Sequence, residues 1–160
     1  MMMVSKKNTL KLLLLFSAFV LSAAYFIEYI LGHQPCNLCI IERIPYLASI
    51  ILITSIFIIK KYEKIILIII LLFFLFGSAT SFYHFGIEQG FFSESLVCDL
   101  GKESNILSAN DLLLELEKKT ISCKLVTFRV FGLSLATFNT VISLILSVII
   151  VKLLIKYEKN

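Results

Sequence analysis

Two long apolar runs of the sequence are separated only by Lys60-Lys61-Tyr62-Glu63-Lys64. Each run has close to the roughly 20 residues that cross a ~30 Å hydrocarbon core as an α-helix. A connection this short between two such helices requires them to form an antiparallel hairpin. The stretch therefore predicts a membrane protein built from helices.

The composition of the whole chain supports the same fold class. Hydrophobic residues make up 59% of the 160 residues, against roughly 45–50% in soluble globular domains. Four apolar runs occur, at about residues 10–31, 40–59, 65–85 and 130–151. We predict an all-α integral membrane protein, a four-transmembrane-helix bundle that forms a single domain over residues 1–160. The chain has no Trp and no basic run interleaved with aromatics, so we expect no nucleic-acid binding.

The positions of the lysines predict the orientation of the helices. Lysines cluster at three places: before the first run (Lys6, Lys7, Lys11), in the hairpin (Lys60, Lys61, Lys64) and after the fourth run (Lys152, Lys156, Lys159). Because such segments stay on the cytoplasmic side, both termini are predicted to be cytoplasmic. Two loops, at about 32–39 and 86–129, then face outward.

The first apolar run also has the character of a signal peptide. Lysines precede a leucine-rich stretch, and Ser22-Ala23-Ala24 resembles a small-residue cleavage site. However, the apolar run continues to Leu31, which is a full spanning length. We therefore interpret it as a retained helix.

The second outward loop contains a predicted short amphipathic helix at 108–119. Ser108 and Asp111 form a possible capping box, and Leu112, Leu113 and Leu116 would share one face. Such a helix either lies on the bilayer surface or packs on the rest of the loop.

All four cysteines lie in or beside the two outward loops, at Cys36, Cys39, Cys98 and Cys123. Outside a bacterial inner membrane we expect them to pair, with three possible connectivities. A disulfide within Cys36-Asn37-Leu38-Cys39 would close a very small ring and stabilise the fold little, but C-x-x-C suits a reversible dithiol. Cys98 with Cys123 would be the second pair, and purely structural disulfides remain an alternative. Only one C-x-x-C knuckle is present, so we expect no metal site.

A charged residue follows the C-x-x-C at helical spacing. A helix from Pro45 to Ile59 would be about 22 Å long, too short to span a bilayer. We therefore predict that the second helix begins near Cys39 and bends at Pro45. Arg43 would then lie on the same face as Cys39, where its guanidinium would stabilise a thiolate or the negative charge on a reduced carbonyl oxygen of a membrane-soluble acceptor. The alternative is an interfacial anchor.

Two further titratable residues lie near the same boundary. His84 closes the third run, and it could exchange a proton near neutral pH or simply cap the helix. Glu42 would either neutralise Arg43 or lie in headgroup water.

The stretch from Gln34 to Arg43, with its C-x-x-C and following Glu-Arg, resembles the signature of the DsbB family of bacterial inner-membrane disulfide-generating proteins. Residues 83–88 and 131–139 are similar to family segments as well. The likeness covers nearly the whole chain. Vitamin-K-epoxide-reductase-like proteins share the four-helix redox design, but their loop cysteines precede the C-x-x-C, so the order here favours the DsbB family.

The resemblance implies a relay of four catalytic cysteines with disulfides Cys36–Cys39 and Cys98–Cys123. A periplasmic DsbA-like thioredoxin-fold protein would attack Cys98, and Cys123 would exchange with Cys36. Cys39 would then pass two electrons to ubiquinone or menaquinone held near Arg43.

His84 and Glu42, which lie near the same boundary as Arg43, are further candidate quinone contacts. The protein would be a multi-pass inner-membrane protein with its cysteines on the periplasmic side. Two alternatives remain open: the same architecture running toward reduction, and a noncatalytic scaffold with structural disulfides.

Overall fold

The computed structural model describes residues 2–94, 96–99, 122–124, 128–130 and 132–158. Within these residues four helical spans are long and apolar enough to cross a membrane: Lys6–Tyr29, Asn37–Ile58, Glu63–Glu88 and Leu135–Lys156. This confirms the predicted all-α membrane fold with four spanning helices. The predicted loop helix at 108–119 lies outside the described residues.

The structure has six helices and two short strands in its described part. The helices are α1 (Met2–Tyr29), α2 (Asn37–Ile41), α3 (Ile44–Ile58), α4 (Glu63–Glu88), α5 (Leu96–Asp99) and α6 (Leu135–Glu158). A 3-10 turn, Lys60–Tyr62, joins α3 to α4. The strands are β1 (Arg129–Val130) and β2 (Leu133–Ser134).

The second span differs from the single bent helix that the sequence predicts. It begins at Asn37 as α2, is interrupted at Glu42 and Arg43, and resumes at Ile44 as α3. Pro45 lies in the first turn of α3, where its missing N–H costs nothing. In a continuous helix its ring would clash with the carbonyl four residues earlier. The proline therefore separates two helices where one bent helix is predicted.

The fourth spanning helix begins at Leu135, so the predicted start at 130 is wrong. Instead β1 and β2 form an antiparallel hairpin in which Val130 lies opposite Leu133. Gly132 has φ +82°, a left-handed conformation that glycine adopts without steric cost. The two helices nearest the chain ends are longer than predicted, because α1 begins at Met2 instead of 10 and α6 continues to Glu158 instead of 151. Smaller shifts occur where α1 ends, at Tyr29 instead of 31, and where α4 ends, at Glu88 instead of 85.

Successive spans run in opposite directions, and polar residues lie at their contacts. Lys6 at the start of α1 pairs with Glu63 at the start of α4, with Nζ and Oε1 2.7 Å apart. The Ser49 hydroxyl of α3 donates to the Ser17 hydroxyl of α1 at 2.9 Å. Lipid tails are as apolar as leucine, so such contacts hold helices together better than apolar area alone.

A core of buried apolar side chains fills the bundle between these contacts, with members including Leu13, Ile53, Leu67, Phe74 and Ile150. The end of the bundle opposite the Lys6–Glu63 pair is the end where α1 and α4 stop and where α2 and α6 begin. We call this the cysteine end. The side of the membrane on which it lies stays a prediction.

Candidate functional site

The C-x-x-C lies at the start of the second span. Cys36 is the N-cap of α2, and its Sγ accepts a hydrogen bond from the backbone N–H of Cys39 at 3.2 Å. The pKa of Cys36 is lowered from its ordinary value, chiefly by a hydrogen bond from the Cys39 side chain, and burial opposes this only in part. A lowered pKa raises the thiolate character of Cys36.

The two cysteine pairs lie in one buried cluster. A disulfide joins Cys98 to Cys123, with Cα atoms 5.7 Å apart, and it packs with Cys36, Leu38 and Ile87. Cys36 and Cys39 are present as thiols, so the disulfide between them stays a prediction. The structure thus brings the loop pair against the pair that begins the second span.

Asn37, the residue after Cys36, forms a hydrogen bond between the C-x-x-C and the segment that contains Cys98. The Asn37 side chain donates from Nδ2 to the carbonyl oxygen of Val97, in α5, at 2.8 Å. Val97 directly precedes Cys98. The dipeptide between the C-x-x-C cysteines therefore has a positioning contact with the loop that its sequence does not reveal.

His84 joins the cysteines from α4. Its Nε2 lies 3.5 Å from Cys36 Sγ and its Nδ1 lies 2.8 Å from Glu42 Oε1. Only 3% of the residue is exposed. The alternative of an interfacial cap is therefore wrong, and His84 is a buried neighbour of the Cys36 thiol.

Glu42 occupies the joint between α2 and α3 and is 7% exposed. Its Oε2 accepts a hydrogen bond from Asn139 Nδ2, in α6, at 3.0 Å. The same amide nitrogen also donates to the Ser81 hydroxyl at 2.6 Å, and the Tyr46 hydroxyl donates to Asn139 Oδ1. Both interpretations of Glu42 from the sequence are therefore wrong: it pairs with His84 and Asn139, and neither with Arg43 nor with headgroup water.

Arg43 is held by the first helix. Its Nη1 forms an ion pair with Glu28 Oε2, and its guanidinium lies over the Tyr25 ring, 5.0 Å from the centroid. Because the helix is broken at residues 42 and 43, the predicted i+4 relation to Cys39 does not describe a continuous turn. Arg43 and Cys39 nevertheless line the same cavity.

This cavity has a volume of about 300 Å³ and lies among α1, α3, α4 and α6. Apolar walls come from residues such as Phe19, Ile27 and Ile142. Polar groups are few and lie at the cysteine end, where Cys36, Cys39, Glu42, Arg43, His84 and Glu88 line it. An apolar cavity with a few converging polar groups has the character of a small-molecule site.

Several residues of the site are not identified in the sequence analysis. Glu28 and Asn139 both lie within apolar runs, and a polar residue inside a spanning segment is itself a signal of function. Glu88 lies one turn after His84, with Oε1 3.7 Å from His84 Nε2. Its Oε2 is buried without a hydrogen-bond partner among the described atoms, although Ser134 and Arg129 lie near enough to act on the same carboxylate.

Comparison with known proteins identifies the family. The sequence model described as "Disulfide bond formation protein DsbB" matches residues 6–153. The chain belongs to the DsbB family. This confirms the resemblance read from residues 34–43, and it makes the chain a multi-pass membrane protein of disulfide-bond formation with thiol oxidase chemistry.

A curated relative matches most of the chain. "Uncharacterized protein RP370" of Rickettsia prowazekii (strain Madrid E) is 31% identical over 154 residues, which cover 92% of this chain and 87% of the relative. No solved structure shows significant similarity to the chain.

Proposed function

We propose that the chain is a quinone-linked thiol oxidase of the bacterial inner membrane. It reoxidises a periplasmic DsbA-like thioredoxin-fold dithiol protein and passes the electrons to ubiquinone or menaquinone. The observation that carries this proposal is the shared position of the two cysteine pairs: they pack in one cluster, and that cluster borders a cavity between spanning helices. Such a site connects an aqueous thiol to an acceptor dissolved in lipid.

The first exchange takes place at the loop disulfide. A thiolate of the soluble partner attacks Cys98, the Cys98–Cys123 bond breaks, and a mixed disulfide forms while Cys123 leaves as a thiolate. The choice of Cys98 follows its position in the family. When the second partner thiol resolves the mixed disulfide, the partner leaves oxidised and the loop pair holds two electrons.

The second exchange transfers those electrons to the C-x-x-C. Cys123 attacks Cys36 of an oxidised Cys36–Cys39 pair, so that the Cys36–Cys39 bond breaks and Cys39 leaves as a thiolate. Cys98 then attacks Cys123, which closes the loop disulfide again and releases Cys36. The products are a loop disulfide and two thiols at Cys36 and Cys39, which is the redox state that the structure has. The lowered pKa of Cys36 favours it as the leaving group when Cys98 closes the loop disulfide.

The cavity suits the final acceptor. Ubiquinone or menaquinone, when bound, supplies an acceptor for two electrons and two protons. Arg43 and His84 provide polar groups at the cysteine end, and the apolar walls of α1 and α6 suit a lipid-soluble molecule. Cys39 lies on the same cavity wall, in the first turn of α2.

His84 and Glu42 handle a proton when the two thiols return to a disulfide. The imidazole Nε2 is next to Cys36 Sγ, so it can take the thiol proton. The carboxylate of Glu42 at Nδ1 stabilises the imidazolium that results. Asn139 holds Glu42 in place from α6.

Turnover by the purified protein tests this function. Reduced DsbA-like partner and a soluble quinone are mixed with the protein in detergent, and thiol loss and quinone absorbance are followed together. We expect coupled consumption of both, and loss of turnover in Cys39→Ala. Normal turnover in that variant would refute the assignment of Cys39.

Trapping the partner tests direction and separates the alternatives. A reduced partner that keeps only its attacking thiol should accumulate a mixed disulfide with Cys98 of the unchanged protein, because the Cys98–Cys123 bond breaks and no second partner thiol resolves the product; Cys98→Ala should abolish this adduct. A scaffold would keep its loop disulfide throughout exposure to reduced partner. A protein running toward reduction would instead convert oxidised partner to dithiol when supplied with quinol.

Membrane-impermeant maleimide tests the sidedness. The outer membrane is permeabilised while the inner membrane stays intact, and the disulfides are reduced before the maleimide is added. We expect the loop cysteines to be labelled. A single cysteine placed at Lys61 serves as the opposite control and should label only after the inner membrane is broken.

A further inference from the structure

We propose that the reduced site is also a binding site for a soft divalent metal ion, with Zn²⁺ as the ion of choice. The ligands are Cys36 Sγ, Cys39 Sγ and His84 Nε2. Among the described residues these three atoms all lie within 4.8 Å of one another. Metal binding is independent of turnover, and only its effect on turnover rests on the proposed function.

The distances suit a tetrahedral ion. Zn–S bonds of about 2.3 Å and Zn–N bonds of about 2.0–2.1 Å place a sulfur and a nitrogen ligand about 3.6 Å apart. Cys36 Sγ and His84 Nε2 are 3.5 Å apart. A thiol–imidazole hydrogen bond has a similar length, so the third donor, Cys39 Sγ, is what makes the arrangement a metal cage.

The histidine is already oriented as a ligand. Its Nδ1 is paired with Glu42 Oε1 at 2.8 Å, and Asn139 holds the other oxygen of that carboxylate. A metal-bound histidine usually donates its other ring N–H to a carboxylate, which fixes the tautomer and raises the basicity of the ligand. With the proton on Nδ1, the lone pair of Nε2 faces the cysteine sulfur.

Glu88 is a nearby carboxylate outside this set of three donors. Its Oε1 lies 3.7 Å from His84 Nε2, but it is not among the atoms that all lie within 4.8 Å of one another. The fourth position of a tetrahedral ion is therefore left for water or another small ligand.

The sequence predicts no metal site because only one C-x-x-C pair is present, and this pattern does not reveal a ligand that is distant in sequence. His84 is 48 residues from Cys36, so only the folded bundle brings it to the sulfurs. Two thiolates and an imidazole favour Zn²⁺, Cd²⁺ or Cu⁺ over Mg²⁺ and Ca²⁺.

Zn²⁺ binding depends on whether Cys36 and Cys39 are reduced. Zn²⁺ replaces the protons of the two thiols, so binding forms two Zn–S bonds and releases two protons. A Cys36–Cys39 disulfide offers no thiolate and cannot bind. The ion and the oxidised state therefore exclude each other, and bound metal would stop the thiols from passing on their electrons.

Cobalt titration tests the binding. The protein carries Cys98→Ser and Cys123→Ser, so that only two thiols remain, and it is reduced and kept free of oxygen in detergent. Added Co²⁺ should give thiolate charge-transfer and tetrahedral d–d absorption that saturates at one ion per chain, and Zn²⁺ should abolish it. The same protein oxidised at Cys36 and Cys39 should give none.

Variants in the same background assign the ligands. His84→Ala should weaken Co²⁺ binding by about tenfold or more, and Glu42→Gln by about 10- to 100-fold. The matched control is His33→Ala, which removes the other histidine of the chain and should leave binding unchanged. Thermal unfolding confirms that each variant is folded.

The outcomes separate the two proposals. Absent bands in folded, reduced protein, equal affinity in His84→Ala, or binding by the oxidised protein would each overturn the metal site. Binding with the expected pattern in a protein that shows no quinone-linked turnover would uphold the metal site and contradict the proposed function. Where both hold, Zn²⁺ should inhibit turnover and a chelator should restore it.

Discussion

Replacing Glu42 with glutamine tests how much the buried carboxylate contributes to the site. Glu42 accepts from His84 Nδ1 at 2.8 Å and from Asn139 Nδ2 at 3.0 Å. Glutamine keeps the size but has only one acceptor oxygen, so its NH2 group must face one of these donors. One charge-assisted hydrogen bond, worth about 1.5–3 kcal/mol, is then lost, together with the charge that stabilises an imidazolium at His84.

The lost hydrogen-bond free energy can be converted into a slower rate of thiol oxidation if it is lost in the transition state. At about 1.36 kcal/mol for each factor of ten, Glu42→Gln should slow thiol oxidation by about 10- to 150-fold. The assay is coupled thiol and quinone consumption at saturating partner, repeated across pH, because a role in proton transfer changes the pH profile as well as the rate. In Glu42→Gln with His84→Gln the effects should not add, since both residues act in one contact.

A matched control separates chemistry from general damage. Glu63→Gln makes the same chemical change at the other end of the bundle, where Glu63 pairs with Lys6. A partly exposed pair of this kind contributes about 0–1 kcal/mol, so the turnover of Glu63→Gln should stay within about twofold of the unchanged protein. Turnover within twofold in Glu42→Gln too would refute the assigned role of the carboxylate.

Three further predictions concern the cysteines and the helix packing. Asn37→Ala removes a hydrogen bond worth about 1 kcal/mol, and glutathione should then reduce the loop disulfide about fivefold faster. Cys39→Ala removes the main cause of the lowered pKa of Cys36, so the pH profile of Cys36 alkylation by iodoacetamide should move to higher pH; an unchanged profile would contradict the assignment. Gly77→Ala would bring a Cβ to 2.9 Å from the proline ring of α3 and should lower the unfolding free energy by about 1–3 kcal/mol. Ala79→Val, on the exposed side of the same helix, should leave the melting temperature nearly unchanged.

The spanning helices could be predicted because length and apolarity alone determine them. A run of about 20 apolar residues has few alternatives in a bilayer, and the structure has the four spans. The start of the fourth was misplaced because Val130 and Leu133 continue the apolar run although they pair in a hairpin. Apolarity along the chain does not reveal the left-handed φ of Gly132.

The site could be predicted only in its residue types. The cysteines, His84, Glu42 and Arg43 are all identifiable from the sequence. The structure places His84, Glu42, Arg43 and the C-x-x-C cysteines around one cavity, and the loop disulfide packs in one cluster with Cys36. Their partners could not be predicted, because each lies on another helix. Arg43 pairs with Glu28 of α1, which no local spacing connects to it.

The interruption at residues 42 and 43 affects how a movement of α2 is transmitted to α3. α2 carries both cysteines of the C-x-x-C, but its hydrogen-bond ladder is not continuous with that of α3. A shift of α2 during disulfide exchange need not bend the spanning helix, because the joint can absorb the rotation. The joint therefore lies directly between the redox pair and the spanning helix, and Glu42 at the joint holds the imidazole next to the sulfur.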